Sequence, residues 1–482
     1  MIKIFHKEVF SLQNFLDFLN YLDDILYYPI LLVVLVFAGI YFSFRTKFAQ
    51  VRLCGESIRI MLERPGEKGA ISSFQALMVS TASRVGTGNI IGVSTAICLG
   101  GPGAVFWMWV LAILGGATAL VESTLAQIYK QRDKNGGSYG GPAYYIEHVL
   151  HNKFAAILFS LFLIATYAFG FNALCSYNLQ STFSAYEFYN PDTTPLIIGL
   201  VLAVIVAWCL FGGGRRIVKV TGLLVPIMGV VYVAVAIYLM IVNADKLPGV
   251  FKLIFDDAFN FKAIGSGIAG SCLVYGIKRG LYSNEAGVGS APNAAAAADT
   301  SHPVKQGLVQ MLSVYIDTIL ICSATAFMCL VSGVTPGADI AGAKYVQASI
   351  SAEFGAAGPM FITFSMVLFA FTTLIGNLFY VDNALAFINN KKMPGRTFMT
   401  IFRIICALVI FVGAVLPMAT AWALADITMG GMALINIPSI MILGGVVYKA
   451  LDDYNQQRRA GKNPVFKAAN IGIDLDTVDY WK

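Results

Sequence analysis

Eleven times along this chain an apolar run recurs that is long enough to cross a bilayer. Inside hydrocarbon each backbone amide and carbonyl must find its partner within the protein, so such runs become helices. A span needs roughly 17–25 residues. The runs fall at 28–44, 73–99, 104–129, 154–184, 194–211, 218–242, 264–295, 306–331, 358–387, 398–416 and 420–451. Only 12% of the residues are charged, against about 25% in soluble domains. The chain is therefore all-α and polytopic, with no room for a large soluble domain.

The net charge of +6 has a topological meaning and does not point to nucleic acid. Arg45, Lys47, Arg52, Arg59, Arg64 and Lys68 follow the first run; Lys130, Arg132 and Lys134 follow the third. Arg215, Arg216 and Lys219 follow the fifth, Lys391, Lys392 and Arg396 the ninth, and Arg458, Arg459 and Lys462 the last. With eleven spans these segments share one side, opposite the acids Glu187, Asp192, Asp256, Asp257, Asp339 and Glu353. The basic side is expected to be cytoplasmic, with the N-terminus outside and the C-terminus inside a cell (inner) membrane. Residues 1–27 carry Phe15, Leu16, Leu19, Leu22, Ile25 and Leu26 at helical spacing between polar residues. That pattern predicts a helix lying in the interface. No cleavable signal peptide is visible.

Two runs are interrupted. Val85-Gly86-Thr87-Gly88-Asn89 sits in the second, and the polar stretch Tyr275–Gly289 in the seventh. Glycine weakens a helix by about 1 kcal/mol relative to alanine. Non-helical backbone at membrane depth is tolerated where it lines a cavity. Small-xxx-small packing is the plainer explanation of either stretch alone. Packing faces have no reason to recur five spans apart, whereas paired broken helices mark an inverted-repeat transporter with its site between the halves. The expected organisation is 1–72 (interfacial helix, extra span and loop), 73–242 (first repeat), 255–451 (second, inverted repeat) and 452–482 (cytoplasmic tail).

Arg84, Glu122, Lys278, Arg279, Glu285, Asp317 and Asp426 are ionisable residues at membrane depth, where such residues pair with one another or line a water path. Arg279 and Glu285 flank a break and are read as gate or hinge residues, with Glu122 in the same ion-pair network. Asp317 and Asp426 are read as structural. Thr372-Thr373 in the ninth run either bond back to the preceding turn or offer hard oxygen ligands to sodium. Eight cysteines without a CxxC pair, and four histidines without metal spacing, support neither a disulfide frame nor a metal enzyme. An intramembrane hydrolase lacks its paired acids or Ser/His arrangement.

The motifs Val85–Ile90, Gly100–Trp109, Gly140–Glu147, Lys278–Gly287, Pro303–Gly307 and Phe369–Thr373, with Trp422 and Asp426, resemble the alanine-or-glycine:cation symporter family over residues 30–450. The resemblance implies the leucine-transporter-like fold of the amino-acid-polyamine-organocation superfamily: two inverted five-helix repeats, here with one extra N-terminal span. It implies sodium-coupled import of small neutral amino acids (alanine, glycine, serine). Glutamine or larger neutral amino acids, and proton coupling, are the alternatives. The amides around Thr87, Gly88 and Asn89, with the Asn89 side chain, would take the substrate carboxylate. Carbonyls near Tyr275 and Gly276, with Gly280 close by, would take the ammonium. Sodium would lie between the carbonyls of Ala82, Val85 and Phe369 and the hydroxyls of Thr372 and Thr373. Cys175 stands where the family has a glutamine, which implies a larger pocket. The implied partners are the amino acid and membrane lipid; oligomeric state is left open.

Overall fold

The computed structural model describes residues 17–63, 66, 70–132, 137–211, 213–260 and 272–481, with the side chains of 213–215 excepted. Arg64, Lys68, Lys134, the Arg215 side chain, residues 1–16 and the start of the seventh run (264–271) lie outside the described residues.

In chain order the helices are α1 Asp17–Arg45, α2 Cys54–Met61, α3 Ser73–Arg84, α4 Gly88–Gly100 and α5 Ala104–Ile128. A short antiparallel hairpin, β1 Gln131–Arg132 and β2 Ser138–Tyr139, precedes α6 Pro142–Leu150. Then come α7 Lys153–Ala185, α8 Thr194–Leu210, α9 Gly213–Val242, α10 Leu247–Ala258, α11 Cys272–Asn284 and α12 Ala291–Ala297. The last are α13 Pro303–Val331, α14 Ala343–Phe354, α15 Ala357–Ile388, α16 Arg396–Gly413 and α17 Met418–Arg459. Eight of these helices are long and apolar enough to span alone. The shorter α8 and the broken pairs α3–α4 and α11–α12 account for the other three expected spans. The interruptions that shorten α3–α4 and α11–α12 are the two polar stretches.

Local chemistry sets the starts. Ser72 and Gln75 form a reciprocal capping box at α3, at 3.1 and 3.0 Å, which satisfies two otherwise orphaned amides. His302 caps α13 by accepting the Val304 amide at 3.2 Å. α5 forms the axis of the core. Its small residues Ala112, Gly115, Gly116, Ala117 and Ala119 are buried and let neighbouring backbones come close. The rim is apolar outward: Ile197, Val204 and Trp208 on α8, Val230 and Ile241 on α9 and Leu408 on α16 are exposed, as a lipid-facing belt must be.

The described part of the N-terminal segment, 17–27, meets the first span at a kink: Tyr28 is non-helical (φ −128°, ψ 115°), and the helical stretches on either side of it together make α1. Its polar side found partners in the protein: Asp23 is buried and meets Lys278 of α11 at 2.8 Å. At the opposite end, where Arg45, Arg52, Arg59 and Arg458 gather, the tail folds back. Phe466 and Trp481 are buried, and the Trp481 indole donates to the Gln127 carbonyl at 2.6 Å.

Candidate substrate and ion site

The first break opens at Val85, whose ψ of 84° leaves the helix. The chain closes the gap with its own asparagine: the Gly86 amide donates to Asn89 Oδ1 at 2.8 Å and the Asn89 amide to the Gly86 carbonyl at 3.2 Å. A wide turn over Gly88–Gly92 then leads into α4. The amides of Thr87 and Gly88 begin a half-helix of which the first turn has no intrahelical acceptor, so they present positive dipole ends to the core. Two glycines are required here by crowding. A Cβ on Gly86 would collide with the Thr373 hydroxyl, and one on Gly88 would stand 2.5 Å from the Tyr282 ring.

The second break lies later than the sequence suggested. α11 runs unbroken through Tyr275, Gly276 and Gly280 to Asn284. The chain leaves the helix at Glu285 (φ 53°), Gly287 (φ 87°) and Gly289 (φ 90°) before α12 begins. The Glu285 carboxylate accepts from Ser290 at 2.6 Å and from Ser83 of α3 at 3.1 Å. Glu122 of α5 accepts the Gly287 amide at 3.3 Å and the Asn436 amide of α17 at 2.8 Å. Glu122 thus satisfies one freed backbone amide, and the Glu285 side chain ties the break to α3 through Ser83.

A third acid, Asp317 of α13, ties the two breaks together. It accepts from Asn89 at 2.7 Å, from Ser283 at 2.7 Å and from Thr318 at 2.8 Å. The sequence reading treated Asp317 as structural, in a network holding the broken helices, and did not foresee its bonds to Asn89 and Ser283. Its partners come from three separate spans, and nothing in their spacing reveals the meeting.

The expected site residues divide accordingly. Thr373 is where it was expected: its hydroxyl donates to the Ala82 carbonyl at 3.1 Å, directly beneath the break at Val85 and Gly86. Thr372 is turned away. It bonds back to Leu368 and Phe369 at 3.0 and 3.1 Å and faces the Met228 sulfur. The Phe369 carbonyl is thus one of the two acceptors of this back-bonded hydroxyl. Asn89 faces inward, its amide spent on Gly86, Ser283 and Asp317, so it braces the break and offers nothing to a ligand. Gly276 packs on Ala104 and Trp107, Tyr275 on Gly100, and Gly280 on Met108 and Leu111. These three sit on the helix–helix contact of α11 and not at a half-helix end.

Thr87, Gly88 and Cys175 do come together. The Thr87 hydroxyl accepts from Asn178 at 3.0 Å and faces the Cys175 thiol and the Tyr282 hydroxyl. Asn178, absent from the sequence-based set, lies three residues after Cys175 and so shares its helix face. That spacing was the available signal. Its Oδ1 is buried without a partner. Phe171 and Trp422 pack on Tyr282, with ring centroids 4.7 and 4.9 Å apart. Arg279 lies over the Trp422 ring at 3.7 Å and pairs with Asp426 at 3.2 Å. The residue read as a gate and the acid read as structural are therefore one unit. The ensemble is a buried cluster of half-helix amides, hydroxyls and the unpartnered Asn178 Oδ1, packed against the rings of Phe171, Tyr282 and Trp422, with the Arg279–Asp426 pair on Trp422.

The chain is similar to known proteins along nearly its whole length. A probable sodium/glutamine symporter of Bacillus subtilis (strain 168) is 44% identical over 450 residues, 92% of this chain and 91% of the relative. The amino-acid carrier protein AlsT of the same organism is 41% identical over 472 residues, 98% and 99% of the two chains. The solved structure of MhsT in complex with L-phenylalanine shares the fold with a TM-score of 0.55 at 13% identity, over 84% of this chain and 92% of that one. The model of the sodium:alanine symporter family matches residues 12–468. A multi-pass helical transporter with two broken helices around this buried cluster, and not an enzyme, this chain belongs to the sodium:alanine symporter family.

Proposed function

We propose that this protein imports small neutral amino acids together with sodium, by alternating access, with alanine, glycine and serine as the favoured substrates. Residues 73–242 and 255–451 are read as the two inverted repeats, with the N-terminus outside and the basic loops inside. The observation that carries the reading is the contact of Thr373 with the Ala82 carbonyl against a helix broken at Val85. Neutral hard oxygens on opposed helices suit a monovalent cation. A sodium ion would be held by the Ala82 and Val85 carbonyls and the Thr373 hydroxyl. The Thr87 and Gly88 amides would receive the substrate carboxylate, as a helix N-terminus does for an anion. The Asn178 Oδ1, buried and free, would accept from the ammonium. Binding of the ion orders the break and so completes the carboxylate site. The ion's charge also draws on the membrane potential, about 2.3 kcal/mol per 100 mV.

Glutamine is the second reading. Cys175 replaces a long amide side chain and leaves room, and a 44% identical relative is named a probable sodium/glutamine symporter. Uptake of labelled alanine, serine and glutamine into proteoliposomes, at fixed pH with an inward sodium or potassium gradient, tests both. Sodium-driven uptake of alanine ahead of glutamine is expected. Glutamine ahead of alanine moves the assignment to the second reading, and uptake indifferent to sodium overturns the coupling.

A further inference from the structure

α1 belongs to neither proposed repeat, yet its first turns are built into the ion pairs beside the Tyr282–Trp422 cluster. Lys278 and Arg279 are adjacent on α11 and both are buried. Among the described residues Asp426 forms its ion pair with Arg279, and two neighbouring cations inside a protein each need a counter-charge. α1 supplies the second one. Asp23 meets Lys278 at 2.8 Å, with side chains 12% and 10% exposed, and the more exposed Asp24 stands 3.6 Å away. Tyr27, one helical turn further, lies under the Lys278 ammonium at 5.1 Å, and its hydroxyl donates to the Asp426 backbone carbonyl at 3.5 Å. α1 is also seated on α17: a Cβ on Gly430 would stand 2.5 Å from Leu26 and 2.9 Å from Leu31. One turn of α1 therefore touches both helices whose side chains form the ion pair that roofs the Tyr282 cluster.

The roof is sparsely bonded. Asp23 Oδ1, Arg279 Nε and Nη1, Asp426 Oδ1 and Trp422 Nε1 are buried without partners. Buried polar atoms are ordinarily satisfied, so this closed arrangement rests on few bonds, and each weighs heavily. The geometry points to Asp23 as a positioning residue of the outer gate: by holding Lys278 it keeps Arg279 on Asp426 and Trp422, and α1 works as a clamp across α11 and α17. This rests on the transport reading above, with residues 17–27 on the outer side.

Cys175, fully buried beside Thr87, is a native reporter. The full-length protein in proteoliposomes is treated from outside with a membrane-impermeant methanethiosulfonate, and modification of Cys175 is followed by peptide mass spectrometry. Asp23→Asn is expected to speed labelling by about tenfold, because the closed state loses one of its few ties, and to lower maximal uptake more than apparent affinity. Lys278→Arg keeps the charge and is expected to label at the wild-type rate. The exchange Asp23→Lys with Lys278→Asp restores the pair and is expected to return slow labelling to a monodisperse protein. Wild-type labelling in Asp23→Asn overturns the proposal, as does fast labelling in a folded exchange variant. If Asp23→Asn does not fold, the exchange variant and Lys278→Gln decide by the same readout. Because labelling needs neither sodium nor substrate, a wild type without sodium-driven uptake would sink the transport reading while leaving the clamp measurable.

Discussion

Adjacent threonines on one helix turn have opposite duties here, and substitution separates them. Thr373 is donated to Ala82 across the break, whereas Thr372 is bonded into its own helix. Thr373→Ala removes an oxygen from the proposed ion site, and the sodium concentration for half-maximal uptake is expected to rise about tenfold or more, the equivalent of about 1.4 kcal/mol. Thr372→Ala is expected to leave it within a factor of about two, since only a back-bond is lost. Equal effects of the two would remove Thr373 from the ion site. Asn89 belongs to the same scale. Asn89→Ala orphans the Gly86 amide and one Asp317 oxygen, so a loss of stability of about 1–3 kcal/mol is expected, seen as a lower melting temperature in detergent before any change in substrate preference. His302 offers a pH test away from the membrane core. Burial lowers its pKa from 6.5 to about 4, outweighing the raising effect of Asp453, 3.1 Å away. The folded protein then binds fewer protons than the unfolded chain between those values. The contribution is complete above pH 6.5 and is lost as pH falls towards 4. His302→Gln is expected to flatten that part of the stability–pH curve, read by thermal unfolding at a series of pH values.

At the scale of elements, the first break was legible because its glycines, threonine and asparagine fall together in an otherwise apolar run. The second was legible only as a region. Tyr275–Gly289 is polar and glycine-rich throughout, but glycine serves two ends in it. Gly276 and Gly280 let α11 close on α5 while staying helical, whereas Gly287 and Gly289 adopt positive φ and end the helix. Composition cannot separate close approach from unwinding, since both ask for a missing side chain. The same limit hid the meeting of Asp317 with Asn89 and Ser283, which depends on how three spans are placed. The partition between packing and unwinding can be tested at Gly88. Gly88→Ala drives a methyl to 2.5 Å from the Tyr282 ring, in contact with Phe171 and Trp422. Uptake is expected to fall at least about tenfold while the protein still inserts, because overpacking of a filled interior costs about 1–3 kcal/mol. Tyr282→Leu in the same chain is expected to recover part of the loss. Full activity of Gly88→Ala alone would show that the ring does not line the proposed substrate site.

Across the whole molecule, the proposed alternating access asks that the α3 and α12 halves of the two broken helices separate together. They are joined directly: the Asp299 amide, just beyond α12, donates to the Ile71 carbonyl, just before α3, at 2.9 Å. The loop after α12 is in turn held by the tail. Phe466 donates its amide to the Ser301 carbonyl at 2.9 Å and Ser301 its hydroxyl to Pro464 at 2.8 Å. Lys130 donates to the Ala298 carbonyl at 2.9 Å beneath the ring of Tyr480. Trp481 is anchored on Gln127 and carries the largest apolar surface of this assembly. Cutting it back removes both the anchor and the cover of the loop. Trp481→Ala is expected to cost about 3–5 kcal/mol locally, as other buried large-to-small changes do. Because the spanning helices are held by their own packing, this loss is expected as local opening and not as global unfolding. Hydrogen exchange measured by mass spectrometry should therefore quicken in residues 298–302 and 464–481 and stay slow in α5 and α13. Unchanged exchange in the loop would mean that the tail rests on the inner face without holding it, and that the Ile71–Asp299 bond alone keeps the two half-helices together.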